Sequence, residues 1–455
     1  SATAQLCEIM LRDSAHIQMF EAEWRNRKAA RSGGKLKEFV PLYDMDAAVN
    51  VCKQFVGCEY DRVYDIAEGI KIRFTDVGHL LGSASIEVWA TEKTENGDVT
   101  EKIVFSGDIG NINKPIIKDP KHVRDADYVV MESTYGNRSH GGTPNYVEDL
   151  TDIFKRTFER GGNVVIPSFA VGRTQELLYI IRKIKEDNLV GRDFDVYMDS
   201  PLAIEATNIF IKNVESCFDD DAVELVRKGI NPLSFPGLKY ATTGDESKQI
   251  NFDPNPKVII SSSGMCEAGR IRHHLKHNLW RPECTIVFVG YQAVGTTGRI
   301  IVDGAEEIKL FGEPIQIKAE IVQLKGSSGH ADKDGLLCWI NAFDTKPKKV
   351  FVVHGEDSVC DEFTECLKEE YGYDAMAPYT GGSYDLIADR VISEGVKERK
   401  TRRTTSTQRG KTVFDRLVAA GKRLMTVITH NEGGTNKDLA KFTDQINALC
   451  DKWDR

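Results

Sequence analysis

Ten histidines occur in the 455 residues, and three of them stand beside glycine where an apolar, strand-like run ends. His79 lies in Val77-Gly78-His79-Leu80-Leu81-Gly82-Ser83-Ala84. His330 lies in Gly326-Ser327-Ser328-Gly329-His330-Ala331-Asp332, and His354 in Val352-Val353-His354-Gly355-Glu356. One carboxylate, Asp108 in Ser106-Gly107-Asp108-Ile109-Gly110, is placed in the same way. Imidazole nitrogen and carboxylate oxygen together suit zinc, and glycine lets backbone approach an ion closely. Taken singly, each of these residues reads as well as packing or a turn. Four from separate α/β units point to one pocket, because ligands in such folds collect at strand ends.

The elements that must position them follow from periodicity. Segments 71–77 and 85–89 alternate apolar and polar, whereas 103–105 and 128–131 read as more buried strands, with little helix between, which predicts a mixed or antiparallel sheet. From Pro144 the texture changes to a helix with Thr143 as its cap, Val147, Leu150, Phe154 and Phe158 on one face and Gly161-Gly162 as its stop. Strand and helix then alternate through 163–167, 175–185, 193–198, 257–261, 268–277 and 285–289, the pattern of a largely parallel sheet. The region 313–390 reads as strand 316–322, helix 333–343, strand 349–353 and helix 361–371.

Composition bounds the class. With 60 Lys+Arg against 69 Asp+Glu, net charge −9 and 41% hydrophobic residues, bulk disorder is excluded and two or three domains are expected. No apolar run reaches the roughly 20 residues of a membrane helix, and the opening residues lack the pattern of a signal peptide, so a soluble cytoplasmic protein is expected. The ten cysteines form no Cys-x-x-Cys pair, which predicts reduced thiols and no zinc ribbon. Segment 395–423 carries ten Lys/Arg against two acids. Such a run reads as a solvated extension or a phosphate-binding arm.

The motif Gly78–Ala84, together with Ser106–Gly110, Glu132-Ser133-Thr134-Tyr135-Gly136, Ile166-Pro167-Ser168-Phe169-Ala170-Val171-Gly172-Arg173-Thr174-Gln175-Glu176-Leu177, Ser328–Asp332 and Val353–Glu356, resembles the metallo-β-lactamase/β-CASP nucleases in order and spacing over about 70–392. That resemblance implies a metallo-β-lactamase αββα sandwich with an inserted β-CASP α/β domain of largely parallel sheet. It divides the chain into 1–136, the first part of the sandwich; 137–312, the β-CASP domain; 313–392, the returning part with the RNA-metabolising motif; and 393–455, a basic extension. It implies a zinc-dependent ribonuclease with two Zn2+ per complete site. His79, Asp108 and His354 would be the ligands, Asp108 bridging both metals. Glu132 and His330 would be an acid–base pair in which Glu132 orients His330 to protonate the departing oxygen. Arg173, Ser327, Ser328, Arg270, His273 and His274 would contact RNA. No membrane partner is implied, and a homodimer is left open.

The pattern also departs from the family. Its first metal motif, His-x-His-x-Asp-His, belongs upstream of His79, yet residues 1–78 contain a single histidine, His16. The expectation is therefore an N-terminally incomplete copy, inactive as the chain stands. One side of the first sheet should then be uncovered, so the chain should fold poorly or bind an edge-capping partner. The alternatives are a non-catalytic scaffold that holds RNA or a nuclease partner, and DNA as substrate. The pair His273/His277 shares a helix face and mimics an i,i+4 zinc site, but no third ligand accompanies it. Asp332 either braces a histidine or caps the helix that begins near Lys333.

Overall fold

The computed structural model describes residues 2–31, 39–95, 97–139, 141, 145–324 and 328–396, with 421, 424–425, 427–429, 431 and 436–453 in the tail. They fall into two compact units, 1–394 and 395–455. The second contributes the helix Asn436–Trp453. Most of the basic run, and also Thr143, Pro144 and Ser327, lie outside the described residues.

The first unit begins with α1 (Ala2–Arg31) and α2 (Met45–Cys52), followed by β1 (Val63–Ala67), β2 (Ile70–Asp76), β3 (Ala84–Thr94), β4 (Gly97–Phe105) and β5 (Tyr128–Glu132). Next come α3 (Tyr146–Glu159), β6 (Val164–Pro167), α4 (Arg173–Glu186), β7 (Asp195–Met198), α5 (Pro201–Lys212), α6 (Val214–Cys217), α7 (Asp220–Arg227), β8 (Leu238–Tyr240), α8 (Gly244–Phe252) and β9 (Lys257–Ser261). The chain continues through α9 (Ile271–Asn278), β10 (Thr285–Phe288), α10 (Thr297–Val302), the hairpin β11 (Glu307–Leu310) and β12 (Glu313–Gln316), and β13 (Glu320–Gln323). It closes with α11 (Lys333–Ile340), β14 (Lys349–Val353), α12 (Asp357–Glu369), β15 (Ala375–Met376) and the hairpin β16 (Ser383–Asp385) and β17 (Arg390–Ser393).

Two sheets carry this unit. The first runs β1-β2-β3-β4-β5-β14-β15, antiparallel through β4 and parallel from β4 onward. Because β3 opposes both β2 and β4, the strands β2, β4, β5 and β14 all point the same way, and the groups that follow them gather at one edge. Alternation splits the side chains of the sheet between its faces. Val104, Val129, Met131, Val350 and Val352 pack against Leu336, Trp339 and Ile340 of α11 and Phe363 and Leu367 of α12. The other face pairs Ile72 with Val88, Phe74 with Ile86, and Phe105 with both Ile86 and Val130. Tyr384 of the last hairpin covers Tyr128 and Phe351 at one end of it. Elsewhere it is open: Phe105 is 42% exposed, and Ile72, Phe74, Ile86 and Val88 are only half-buried. Thus, among the described residues, the expected αββα sandwich is represented by one sheet with helices on one side, and the anticipated bare face is present.

The second sheet, β13-β10-β6-β9-β7-β8, is parallel throughout, and it is buried on both faces. Val164, Ile166, Val258, Ile260 and Val287 meet α3, α4 and α5 through residues such as Phe154, Leu178 and Phe210. Val165, Ile259, Ile286 and Phe288 meet Ile271 and Leu275 of α9 and Ile301 of α10. The uninterrupted apolar runs of β6, β9 and β10 are the sequence mark of this two-sided burial.

Some local expectations need correction. The cap of α3 is Asn145, whose side chain accepts the amide of Glu148. The strand expected over 316–322 is two strands, β12 and β13, because the chain reverses into the hairpin with β11 before β13 joins β10. Through β13 the second sheet reaches beyond 312. All ten cysteines are free thiols, and no helix of the described residues is long and apolar enough to cross a membrane.

Candidate metal centre and cleft

Four strands deliver the polar groups. His79 follows β2, Asp108 follows β4, Glu132 ends β5 and His354 follows β14. His330 arrives from another direction: its segment pairs with residues 109–111, Ala331 N donating to Ile109 O at 2.8 Å and Asn111 N to Gly329 O at 3.3 Å. This pairing sets His330 beside Asp108.

Asp108 lies between two imidazoles, with Oδ2 3.9 Å from His79 Nε2 and Oδ1 3.3 Å from His354 Nε2. His79 Nδ1 donates to the Gly329 carbonyl at 3.1 Å, which fixes the tautomer and leaves the Nε2 lone pair facing Asp108. Burial, helped by the neighbouring His330 and Lys114, brings the His79 pKa down to about 4, so the ring is a neutral donor. His354 sits at φ +51°, in the left-handed region that a non-glycine residue enters at a cost of order 1–3 kcal/mol. The chain bears that cost where the ring must turn toward Asp108. His79, Asp108 and His330 also bring donor atoms within 4.8 Å of one another. Nitrogen and oxygen donors around one carboxylate, with the tautomer preset, fit a divalent metal of the zinc type.

Glu132 and His330 form a pair, with Nδ1 3.1 Å from Oε2. Burial opposes the charge of Glu132. The hydrogen bond and charge of His330, the side chain of Thr134 and the amide of Ile109 outweigh it and hold the carboxyl below its usual range. For His330, burial likewise opposes charge, but Glu132 prevails and raises the imidazole. His330 Nδ1 is thereby held by Glu132.

A family model of the Beta-Casp domain matches residues 174–301, and one of the Zn-dependent metallo-hydrolase RNA specificity domain matches 314–378. The chain is 35% identical to "Ribonuclease TTHA0252" of Thermus thermophilus over 288 residues, covering 63% of each protein. Over these residues the chain is similar to the metallo-β-lactamase/β-CASP family. It is also 35% identical to an "RNase J-like protein" of Methanocaldococcus jannaschii over 295 residues, 64% of this chain and 65% of that one. With "Transcription termination factor FttA" of Methanosarcina mazei it shares 32% identity over 359 residues, 77% of this chain and 54% of the relative. The chain therefore spans between 54% and 65% of the length of these relatives.

The β-CASP sheet turns its strand ends toward the same place, closing a cleft of about 920 Å³ with His79 and His330 on one wall and Arg173, Arg270 and Phe169 on the other. Arg173 pairs with Glu176 at 2.6 Å, and the buried Glu176 also binds Lys114, whose Nζ donates to the His79 carbonyl. Ser328 lines the cleft, its Oγ accepting the amide of His330 at 3.1 Å.

Arg270 donates to Asp199, Ala241 and Thr242. His274 is corrected: its side chain is fully buried, with Nε2 2.6 Å from Asp199 and Nδ1 3.1 Å from Asn251, so it braces the Asp199 that holds Arg270 and is closed to RNA. His273 is exposed but stacks on Phe311 at 4.4 Å and is not among the residues lining the cleft. Asp332 caps α11, accepting the amide of Gly335 at 3.0 Å. Lys114 and Asp199 have their partners in other elements, which sequence patterns do not reveal. The one available signal was the polar pair Asp199-Ser200 directly after the apolar β7.

Proposed function

We propose that this chain acts in the zinc-dependent hydrolysis of RNA phosphodiester bonds in processing or decay. The observation that carries the reading is the placing of Asp108 between His79 and His354, with the Glu132–His330 pair beside them. The ribonuclease names of two relatives and the RNA specificity model support it.

His79 with Asp108 would hold one ion, and Asp108 with His354 the other. When bound, zinc supplies Lewis-acid charge at the phosphate and an activated water. The residues of the chain do the rest. Glu132 holds His330 through Nδ1 and favours its charged form, so Nε2 can give a proton to the departing oxygen. Ser328 keeps the His330 segment in register, its hydroxyl accepting the His330 amide.

The test uses end-labelled RNA, with zinc added or chelated. Cleavage should require metal and should vanish in Asp108→Ala together with zinc binding. His330→Ala should slow cleavage by about 10²–10⁴-fold while leaving zinc content unchanged. Cleavage that persists under chelation or in Asp108→Ala refutes the reading, and competition between RNA and DNA separates the substrates.

A second reading has its own observation. Among the described residues each ion would have only two protein ligands, Asp108 and one imidazole, if His330 is kept for the proton, fewer than the three usual for catalytic zinc. On that reading the chain binds RNA as a non-catalytic scaffold and leaves it intact at saturating zinc.

A further inference from the structure

Several aromatic rings of the β-CASP part are exposed, and of these Tyr240, Phe252, Trp280 and Phe311 do not line the cleft. Phe154, Phe158, Phe194, Phe210, Phe218 and Phe288 are buried, as the hydrophobic effect requires. Phe169 and Tyr291 are 45% and 49% exposed, and both line the cleft. They follow β6 and β10, neighbouring strands of the second sheet. Neither is a stray ring on a loose loop. Phe169 rests against Gly264, where a Cβ would come 3.0 Å from two ring atoms, so a larger residue at 264 would crowd the ring. The buried Gln292, next to Tyr291, donates to the Gly264 carbonyl at 3.1 Å. One backbone segment thus lies against the Phe169 ring and anchors the residue after Tyr291.

The charges on this wall are already engaged. Arg270 is held by the buried Asp199, and Arg173 and Lys114 share Glu176. Counterion release from phosphates is therefore a small part of what this wall can offer, whereas exposed ring faces offer stacking, which every unpaired base can use.

We propose that Phe169 and Tyr291 form a two-ring platform on which unpaired bases of single-stranded RNA stack as the strand enters the cleft. The platform rests on the ribonuclease reading and adds to it a preference for unpaired RNA, since bases within a duplex already stack on one another.

The test is equilibrium binding of the full chain, under chelation so that nothing is cleaved, to a fluorescein-labelled single-stranded oligonucleotide. A duplex of equal length and an abasic strand with the same ribose-phosphate backbone serve as comparisons. Phe169→Leu and Tyr291→Leu, which keep apolar bulk without a ring, should each weaken single-strand binding by about tenfold. They should leave abasic binding and the salt dependence unchanged. Tyr291→Phe should bind like the original chain. Phe169→Trp should retain affinity and show indole quenching when the strand binds, a readout that does not depend on the stability of the leucine variants.

Leucine variants that bind single strands as tightly as the original chain, with no quenching in Phe169→Trp, overturn the platform and leave the ribonuclease reading intact. Equal loss of single-strand and abasic binding overturns it too, as does capture of an apolar peptide in preference to RNA. An original chain that binds no RNA sinks both.

Discussion

The two sheets of the first unit solve opposite problems. The β-CASP sheet is parallel, buried on both faces and built from continuous apolar strands. Its contributions to the cleft are rings, hydroxyls and cations already paired. The metallo-β-lactamase sheet is mixed, has helices on one face only, and brings the groups that titrate or could bind metal to the end of β2, β4, β5 and β14. Stability is concentrated in one sheet and chemistry in the other. A binding wall needs a fixed shape, which two-sided packing provides. A metal centre needs several polar groups on one edge, and parallel strand ends provide that whether or not both faces of the sheet are covered.

Substitutions at the two sheets should separate these properties. The largest effect is expected at Phe154, fully buried in the β-CASP core beside Phe158 and Phe194. Phe154→Ala should cost about 3–5 kcal/mol, seen as an earlier urea midpoint, and a loss below about 1 kcal/mol would break the comparison.

An intermediate effect belongs to Asp76 at the end of β2, beside a cavity of about 960 Å³ on the open side of the first sheet. Burial pushes its carboxyl up to about 6 from 3.8, against the opposing hydrogen bond from the Gly78 amide. The folded chain therefore holds a proton that the unfolded chain releases, and stability falls as pH rises from 3.8 through about 6. Asp76→Asn should match the original chain below pH 3.8 and exceed it by about 3 kcal/mol at alkaline pH, measured by urea melts across pH. No pH-dependent gain would show that water reaches this carboxylate.

The smallest effect is expected at Phe105 on the open face, where Phe105→Ala should cost less than about 1 kcal/mol because little apolar area returns to water. A loss as large as that at Phe154 would mean that the face is covered in solution, and it would sharpen the question of what covers it.

Much of this was legible in the sequence for a definite reason. His79, Asp108 and His354 follow strands, so a strand-like run and a glycine neighbour mark them without knowledge of the fold, whereas Glu132 was marked only by the family resemblance; the structure brings all four together with His330. Groups whose role depends on a partner elsewhere were illegible. His274 shares a helix face pattern with His273 and His277, and nothing in that pattern says that Asp199 from β7 will cover it. Phe169 looks like any apolar residue after a strand until the glycine under its ring is placed. The division of 316–322 into two strands likewise turned on a partner, β11, that sequence periodicity did not bring out.

The bond from His79 Nδ1 to the Gly329 carbonyl joins positions 250 apart in the chain. During synthesis, therefore, the amino-terminal imidazole has nothing to set its orientation until the whole β-CASP insertion has left the ribosome. A site of this layout cannot be assembled before residue 329 has been made.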